Sequence, residues 1–508
     1  MAKKGIIKSA AILTASGIIN RILGFVYRIY MSNVIGAEGM GLYQLIMPIY
    51  SLAWSISCSG FTTTLSKLIS AEQAKGEYGN MGRILKQSLV ITSGLGLLLS
   101  VLLFFNAEFA AANFVKDERL ILSLKILSLS FPFMAAGSCI RGYFYGLQET
   151  AVPAISQVFE QLVRMAAIFA LSHKLIPMGL EFACAAAVIG IFLGEFFSFL
   201  MIIFSYKYFK AKNSFNKKPS YTTFDSFILI FSMSLPLTLN RVSGSLLLSI
   251  ENMMLPQRLQ LSGLTSSQAM EEFGKISGMA MPLIMFPSAI LVSLAISLVP
   301  AISEALAVNN MKRINFTVSK VLLFTNIIGI CAAGFFILYS GNLGSIIYNE
   351  DIAEILIYLG IMCPFTYMNT TFSGILNGFG EQVFIFKNSL LSSVISIFFV
   401  WTSVPIIGIK GYILGSFVAL CVVCSLSIFK IRKVSHMSID FVNWFLKPSL
   451  AITAACLTVN LFKDLLFFYL GDVLGLLAGT LILGLIYIIA VVSMGTISRN
   501  DMKILFKR

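Results

Sequence analysis

Apolar runs of about 20 residues alternate with short segments rich in Lys, Asn, Ser and Gly along the whole chain. A run of that length is what a helix needs to cross the ~30 Å hydrocarbon core of a bilayer. Fourteen such runs can be read, starting near residues 9, 41, 88, 120, 152, 180, 226, 276, 316, 352, 383, 409, 447 and 472. None shows the sustained alternation of apolar and polar positions that a transmembrane barrel strand requires. The pattern predicts an all-α polytopic membrane protein with 14 transmembrane helices. Composition agrees: of 508 residues 57% are hydrophobic and 12% charged, against about 25% charged in a soluble domain.

The net charge of +14 would suit a nucleic-acid partner, but its distribution does not. With both termini placed in the cytoplasm, most of the 37 Lys and Arg fall on cytoplasmic segments. They include Lys3, Lys4 and Lys8, then Lys207, Lys210, Lys212, Lys217 and Lys218, then Lys430, Arg432 and Lys433. This is the positive-inside bias; it orients the protein in its membrane and needs no polyanion. The opening "MAKKGIIKSA" is similar to a signal-peptide n-region, but the apolar segment after it is too long and runs through Arg21, so a retained first helix is expected. The stretch 64–90 mixes Lys67, Lys75, Arg83 and Lys86 with apolar positions and is expected as an interfacial amphipathic segment.

A repeat runs through the chain. "NRILG" at 20–24 recurs as "NRVSG" at 240–244, and "MP" at 47–48 recurs at 281–282. A single common offset maps Pro132-Phe133, Gly142, Gly146 and Glu149 onto Pro364-Phe365, Gly374, Gly378 and Glu381. Six helices per repeat return the chain to the same side, so the halves are expected to be related by a parallel pseudo-two-fold along the membrane normal. The expected domains are an N-lobe at 1–206, a basic cytoplasmic linker at 207–225, a C-lobe at 226–433, and two further helices with a cytoplasmic tail at 434–508. A longer external loop at 253–275 accounts for the change in offset. Two lobes plus two helices suit an alternating-access transporter. Pro282 and Pro287 bracket an eighth span expected as one bent helix and are hinge candidates; static kinks that aid packing are the equal alternative.

"INRILGFVYRIYMSNVIGAEGMGLYQL" (19–45), "RGYFYGLQ" (141–148), "SQVFEQLVR" (156–164) and "LVPAISEA" (298–305) together strongly resemble the stage V sporulation protein B family of polysaccharide-exporter-type flippases. That family belongs to the multidrug/oligosaccharidyl-lipid/polysaccharide exporter superfamily and is related to lipid II flippases. The resemblance spans nearly the whole chain. It implies two six-helix lobes around a central cavity and outward movement of undecaprenyl-diphosphate-linked sugars or peptidoglycan precursors. It also implies the cytoplasmic membrane of a spore-forming bacterium, with cell-wall synthases as further partners. A cation-coupled multidrug antiporter of the same superfamily and a non-transporting scaffold for cell-wall or spore-cortex synthesis are the alternatives.

The charges inside spans carry the chemistry of that reading. Arg21 and Arg28 lie seven residues apart, on one helix face, and the repeat sets Arg241 opposite Arg21. A charge at mid-bilayer costs about 2.5–3.5 kcal/mol, so it faces a bundle interior or a wet cavity. Guanidinium grips phosphate through a planar fork and stays charged. Arg21, Arg28 and Arg241, with neighbouring Asn20 and Asn240, are therefore candidates for holding an anionic headgroup. Pairing with carboxylates inside the bundle is the alternative. Gln157, Glu160 and Arg164 form one polar stripe on the fifth span. Glu195 on the sixth could neutralise Arg164 or a first-span arginine, and Ser55 could line the cleft. Arg141 is expected as an interfacial anchor, and Gly142 and Gly146 as points of close helix approach.

The first span lacks the acid that multidrug relatives carry, and the seventh has none before Glu251, which disfavours cation exchange. Eight cysteines fall in apolar spans, including Cys421 and Cys424, so no disulfide framework is expected. His173 and His436 are isolated, leaving no visible metal site. There is no G-x-x-x-x-G-K-[ST] loop and no nucleophile–base set, so neither cofactor nor enzymatic chemistry is expected.

Overall fold

The computed structural model describes residues 2–212, 219–435 and 440–496, with side chains from residue 12 onward. Lys217, Lys218 and His436 lie outside the described residues, and of Lys3, Lys4 and Lys8 only the backbone is described. Among the described residues every regular element is helical. The chain divides into two compact units, Met1–Gly274 and Lys275–Arg508.

The first unit runs through α1 (Ala2–Trp54), α2 (Gly60–Lys75), α3 (Tyr78–Phe105), α4 (Ala107–Ala110), α5 (Ile121–Ser128), α6 (Phe131–Gly146), α7 (Ala151–Leu175), α8 (Leu180–Lys212), α9 (Thr223–Leu261) and α10 (Ser266–Phe273). The second continues with α11 (Met281–Met285), α12 (Ser288–Ala307), α13 (Met311–Leu338), α14 (Ser340–Leu343), α15 (Ala353–Gly378), α16 (Gln382–Thr402), α17 (Val404–Ile407), α18 (Ile409–Ser435) and α19 (Lys447–Ser493).

Among the described residues eleven helices are long and apolar enough to cross a membrane, or twelve with the bent pair α5–α6 counted as one. Two of them are too long for one crossing. The segment Ile12–Lys75 has 64 residues, about 96 Å at the helical rise. It is broken at Gly36 (φ 68, ψ −177), and α19 is broken likewise at Gly471 (φ 74, ψ 176). That region of backbone space is open essentially to glycine alone. Each break divides its helix into two spans, which yields the fourteen expected.

Three local expectations are corrected. The stretch 64–90 is a tight helical hairpin and not a surface-lying segment: α2 ends at Gly76 in the left-handed conformation and α3 begins two residues later. Glu72 on α2 is buried; its carboxylate accepts from Asn80 Nδ2 (2.8 Å) and Lys75 Nζ (2.9 Å). The external loop at 253–275 is mostly helix, because α9 continues to Leu261 and a Thr265–Gln268 capping box starts α10. The eighth span is not one bent helix. It passes from α10 through a π-helical segment (Gly274–Ala280) into the five residues of α11, and a break at 286–287 precedes α12. Pro282 occupies the first turn of α11 and Pro287 caps α12, positions where the missing N–H costs nothing.

The repeat is visible in the packing of each unit. In the first, a Cβ on Gly96 would lie 2.8 Å from the Phe131 carbonyl oxygen, one on Gly142 2.8 Å from that of Thr62, and one on Gly146 2.7 Å from Ile69 Cβ. In the second, Gly329, Gly374 and Gly378 press in the same way on Pro364, Ala295 and Ile302. Both units also carry a four-residue helix followed by a π-helical turn and a left-handed residue, Lys116 in one and Asn349 in the other. Small residues let backbones approach where no hydrophobic force drives helices together in lipid, and the repeat conserves those contacts.

Among the helices of the first unit, α9 packs along α1 and α2. Ser55 and Ser245 hydroxyls lie 2.6 Å apart, Ser249 Oγ donates to the Pro48 carbonyl at 3.4 Å, and Gly60 meets Thr238. In the second unit α19 lies against α13, where Tyr487 donates to the Ile327 carbonyl at 3.0 Å.

Candidate functional site

Three helices of the first unit, α6, α7 and α8, bring charged side chains into its interior, and α1 adds a tyrosine. Gly190 and Gly194 on α8 form a small-xxx-small stripe, and a Cβ on either would lie 3.1 Å from the backbone oxygen of Arg164 or Glu160 on α7. The tight α7–α8 contact carries the stripe of Gln157, Glu160 and Arg164 inward. Glu160 accepts from Arg164 Nη2 at 3.2 Å, one turn away, and lies 3.4 Å from Arg141 Nη1 on α6. Arg141 Nη2 lies 3.8 Å from Glu195 on α8, and Glu195 also accepts from Tyr50 Oη of α1 at 2.5 Å. Ser198 Oγ accepts from Arg141 at 3.3 Å, and Gln157 donates to Tyr145 Oη at 3.3 Å. Arg164 Nε is buried without a partner. Two guanidiniums and two carboxylates thus make a charge-balanced network, to which Tyr50 and Ser198 add hydrogen bonds.

Arg141 is the correction here. It is no interfacial anchor: it is buried and joins Glu160 to Glu195. The signal was the small-residue run Ala135-Ala136-Gly137-Ser138 just before it, all four of which are buried. Glu195 pairs with Arg141, and its other partner is Tyr50. Tyr50 and Ser198 were not singled out in the sequence, where neither stands in any distinctive pattern.

Arg21, Arg28 and Arg241 are arranged differently. Arg21 is exposed and Arg28 half-buried on α1, and Arg241 is exposed on α9 with its guanidinium 5.9 Å from the Trp54 ring centroid. Among the described residues none of the three pairs with a carboxylate. Asn20 is half-buried with its Oδ1 unpartnered, and Asn240 is exposed. The neighbour of Arg241 is therefore the second span, through Trp54. Ser55 does not line open space: just past the end of α1, it is buried against Ser245 of α9. Among the described residues no group of three or more His, Cys, Asp or Glu is placed to hold a metal ion.

The model of the family described as "Polysaccharide biosynthesis protein" matches residues 6–306, more than half of the chain. The chain belongs to that family. A second model, MatE, matches residues 276–402. Among curated relatives, this family member is 29% identical over 469 residues to stage V sporulation protein B of Bacillus subtilis (strain 168), covering 90% of this chain and 89% of the relative. It is 25% identical over 420 residues to the lipid II flippase MurJ of the same organism, covering 77% and 76%. Its fold is similar to the solved inward closed conformation of lipid II flippase MurJ, with a TM-score of 0.72, 18% identity, and 94% and 98% of the two chains covered. The chain is a multi-pass membrane protein with the fold of the multidrug/oligosaccharidyl-lipid/polysaccharide transporter superfamily.

Proposed function

We propose that this transporter flips an undecaprenyl-diphosphate-linked saccharide, a lipid II-like precursor or polysaccharide unit, from the inner to the outer leaflet of the bacterial cytoplasmic membrane by alternating access. The observation that carries the reading is that Arg21, Arg28 and Arg241 lie in membrane spans without carboxylate partners among the described residues. A guanidinium left unpaired in a span is stable only beside water or an anion, and a diphosphate carries its charge where headgroup meets polyprenyl tail. The paired network of Arg141, Glu160, Arg164 and Glu195 is a rigid support in this reading, with Gln157, Asn20 and Asn240 as polar contacts for the headgroup. Alternating access demands that affinity differ between the two states, since equal grip would move nothing.

The cation-coupled antiporter needs an embedded carboxylate free to exchange a proton or sodium, whereas Glu160 and Glu195 are engaged with arginines. The test is purified protein in liposomes with labelled lipid-linked precursor on one face. Protein should accelerate its appearance on the other. Arg21→Ala and Arg241→Ala should abolish that acceleration while the protein stays folded and inserted, and Lys at either position should restore only part of it, lacking the bidentate fork. Full activity in both alanine variants would overturn the assignment of these arginines. Equal rates with and without folded protein would favour the scaffold.

A further inference from the structure

Apart from these charges, the first unit has a second polar feature where α3 and α9 begin. A groove of about 820 Å³ opens there, with Arg83, Lys86 and Gln87 at one end and Val90, Phe224 and Phe227 along its wall. Arg83, Lys86 or Gln87, and Val90 recur at the three-, four- and seven-residue spacing of one helix face. The wall therefore grades from cationic to apolar over two turns, about 10 Å along α3. Val90, Phe224 and Phe227 are exposed, and Phe227 stacks on Phe231 with ring centroids 5.8 Å apart.

The groove is held in shape from behind. Asn80 Oδ1 accepts from the backbone N–H groups of Ser220 (2.8 Å) and Tyr221 (3.2 Å). Tyr221 Oη donates to Glu72 at 3.0 Å, a bond that raises the phenol above its ordinary pKa. Arg83 donates to the Tyr221 carbonyl and Gln87 Nε2 to that of Thr223, while Gln87 Oε1 is buried without a partner. The carboxylates nearby are engaged: Glu72 takes Lys75 and Asn80, and Asp225 closes the capping box on Thr222. Among the described residues neither Arg83 nor Lys86 has an ion-pair partner. One hydrogen bond leaves most of the five donors of a guanidinium unused.

We propose that this groove binds an anionic phospholipid of the surrounding bilayer, its phosphate between Arg83 and Lys86 and an acyl chain along Val90 and Phe227. Two uncompensated cations above an apolar wall, at the basic end of the helices, complement that one class of molecule. A lipid seated there fastens the start of α9 to α3. The site stands apart from the arginines of the proposed transport path, so it holds or fails independently of the flippase reading.

Native mass spectrometry of the full-length protein in detergent, titrated with dioleoylphosphatidylglycerol or dioleoylphosphatidylcholine, tests it. The wild type should bind the anionic lipid in preference. Lys86→Gln, whose side chain holds nothing in place, should weaken that binding about five-fold, and Arg83→Gln/Lys86→Gln further by a similar factor. The lipid-free melting temperature of Lys86→Gln should match wild type, and Lys312→Gln/Lys433→Gln, with equal charge loss elsewhere, should bind as wild type does. Equal affinity for the two lipids, or unchanged binding in Lys86→Gln and the Arg83→Gln/Lys86→Gln variant, would overturn the proposal. Displacement of phosphatidylglycerol by polyprenyl diphosphate at equimolar amounts would overturn it too, assigning the groove to substrate.

Discussion

Arg141 and Arg164 are enclosed and share Glu160, while Arg21 and Arg241 stand exposed with no carboxylate beside them among the described residues. The two kinds should respond oppositely to truncation. Arg141→Ala leaves Glu160 and Glu195 enclosed with one cation between them, and breaking a buried pair in this way costs about 3–5 kcal/mol. Its melting temperature in detergent should fall sharply, and Arg141→Lys should recover part of the loss. Arg21→Ala removes no such partner, so its melting temperature should stay near wild type while transport is lost. A stable Arg141→Ala protein would mean that the network is wet and tolerates an unpaired acid. In the sequence, the arginines inside apolar runs were conspicuous because nothing near them explains a charge. Arg141 was not, because an arginine near a span's end has the same local surroundings whether it snorkels outward or turns inward. Only its partners on α7 and α8 decide, and those are 19 and 57 residues away for Glu160 and Ser198.

Between elements, close approach and backbone conformation set what can change. Where α9 meets the turn after α1 the contact is polar, with Ser55 and Ser245 hydroxyls 2.6 Å apart. A rocking motion between these helices would have to part those hydroxyls. Ser55→Cys/Ser245→Cys should form a disulfide under mild oxidation and halt transport, with reductant restoring it and each single variant unaffected. Undiminished transport by the cross-linked protein would show that these helices stay together through the cycle. At Gly36 an added Cβ meets nothing within 4 Å, so the constraint is purely conformational. Gly36→Ala should destabilise by about 1–3 kcal/mol, read as a lower melting temperature despite the free space. Elements were legible in the sequence where the signal is local: hydropathy for the spans, glycine and proline spacing for the repeat. The hairpin at 76–77 was not: of the cations that suggested a surface segment, Lys75 binds Glu72 and Arg83 the Tyr221 carbonyl, while Asn80 ties the hairpin to Glu72, Ser220 and Tyr221.

For the molecule as a whole, the proposed cycle carries anionic phosphate outward, and the sequence contains no Walker-type loop to spend ATP on it. An inside-negative potential contributes about 2.3 kcal/mol per elementary charge per 100 mV, in the direction that expels an anion. In liposomes holding a potassium gradient with valinomycin, the steady-state share of precursor on the outer face should rise as the inside is made more negative. A distribution independent of voltage would mean that a counter-ion neutralises the headgroup in transit. Fold class and family membership were readable because a 14-span pattern and several ordered motifs extend over nearly the whole chain. The coupling ion was not, because it depends on which carboxylates are left free, and that is a property of packing.

The breaks at Gly36 and Gly471 have one more effect. Each interrupts the helix at a single residue with helix continuing on either side, so no tether separates the two arms. Neither arm can be threaded into the bilayer and left waiting for the other without unwinding its own last turn. The two arms of each pair are therefore expected to integrate together, and an affinity tag spliced at either break should arrest integration before it affects transport.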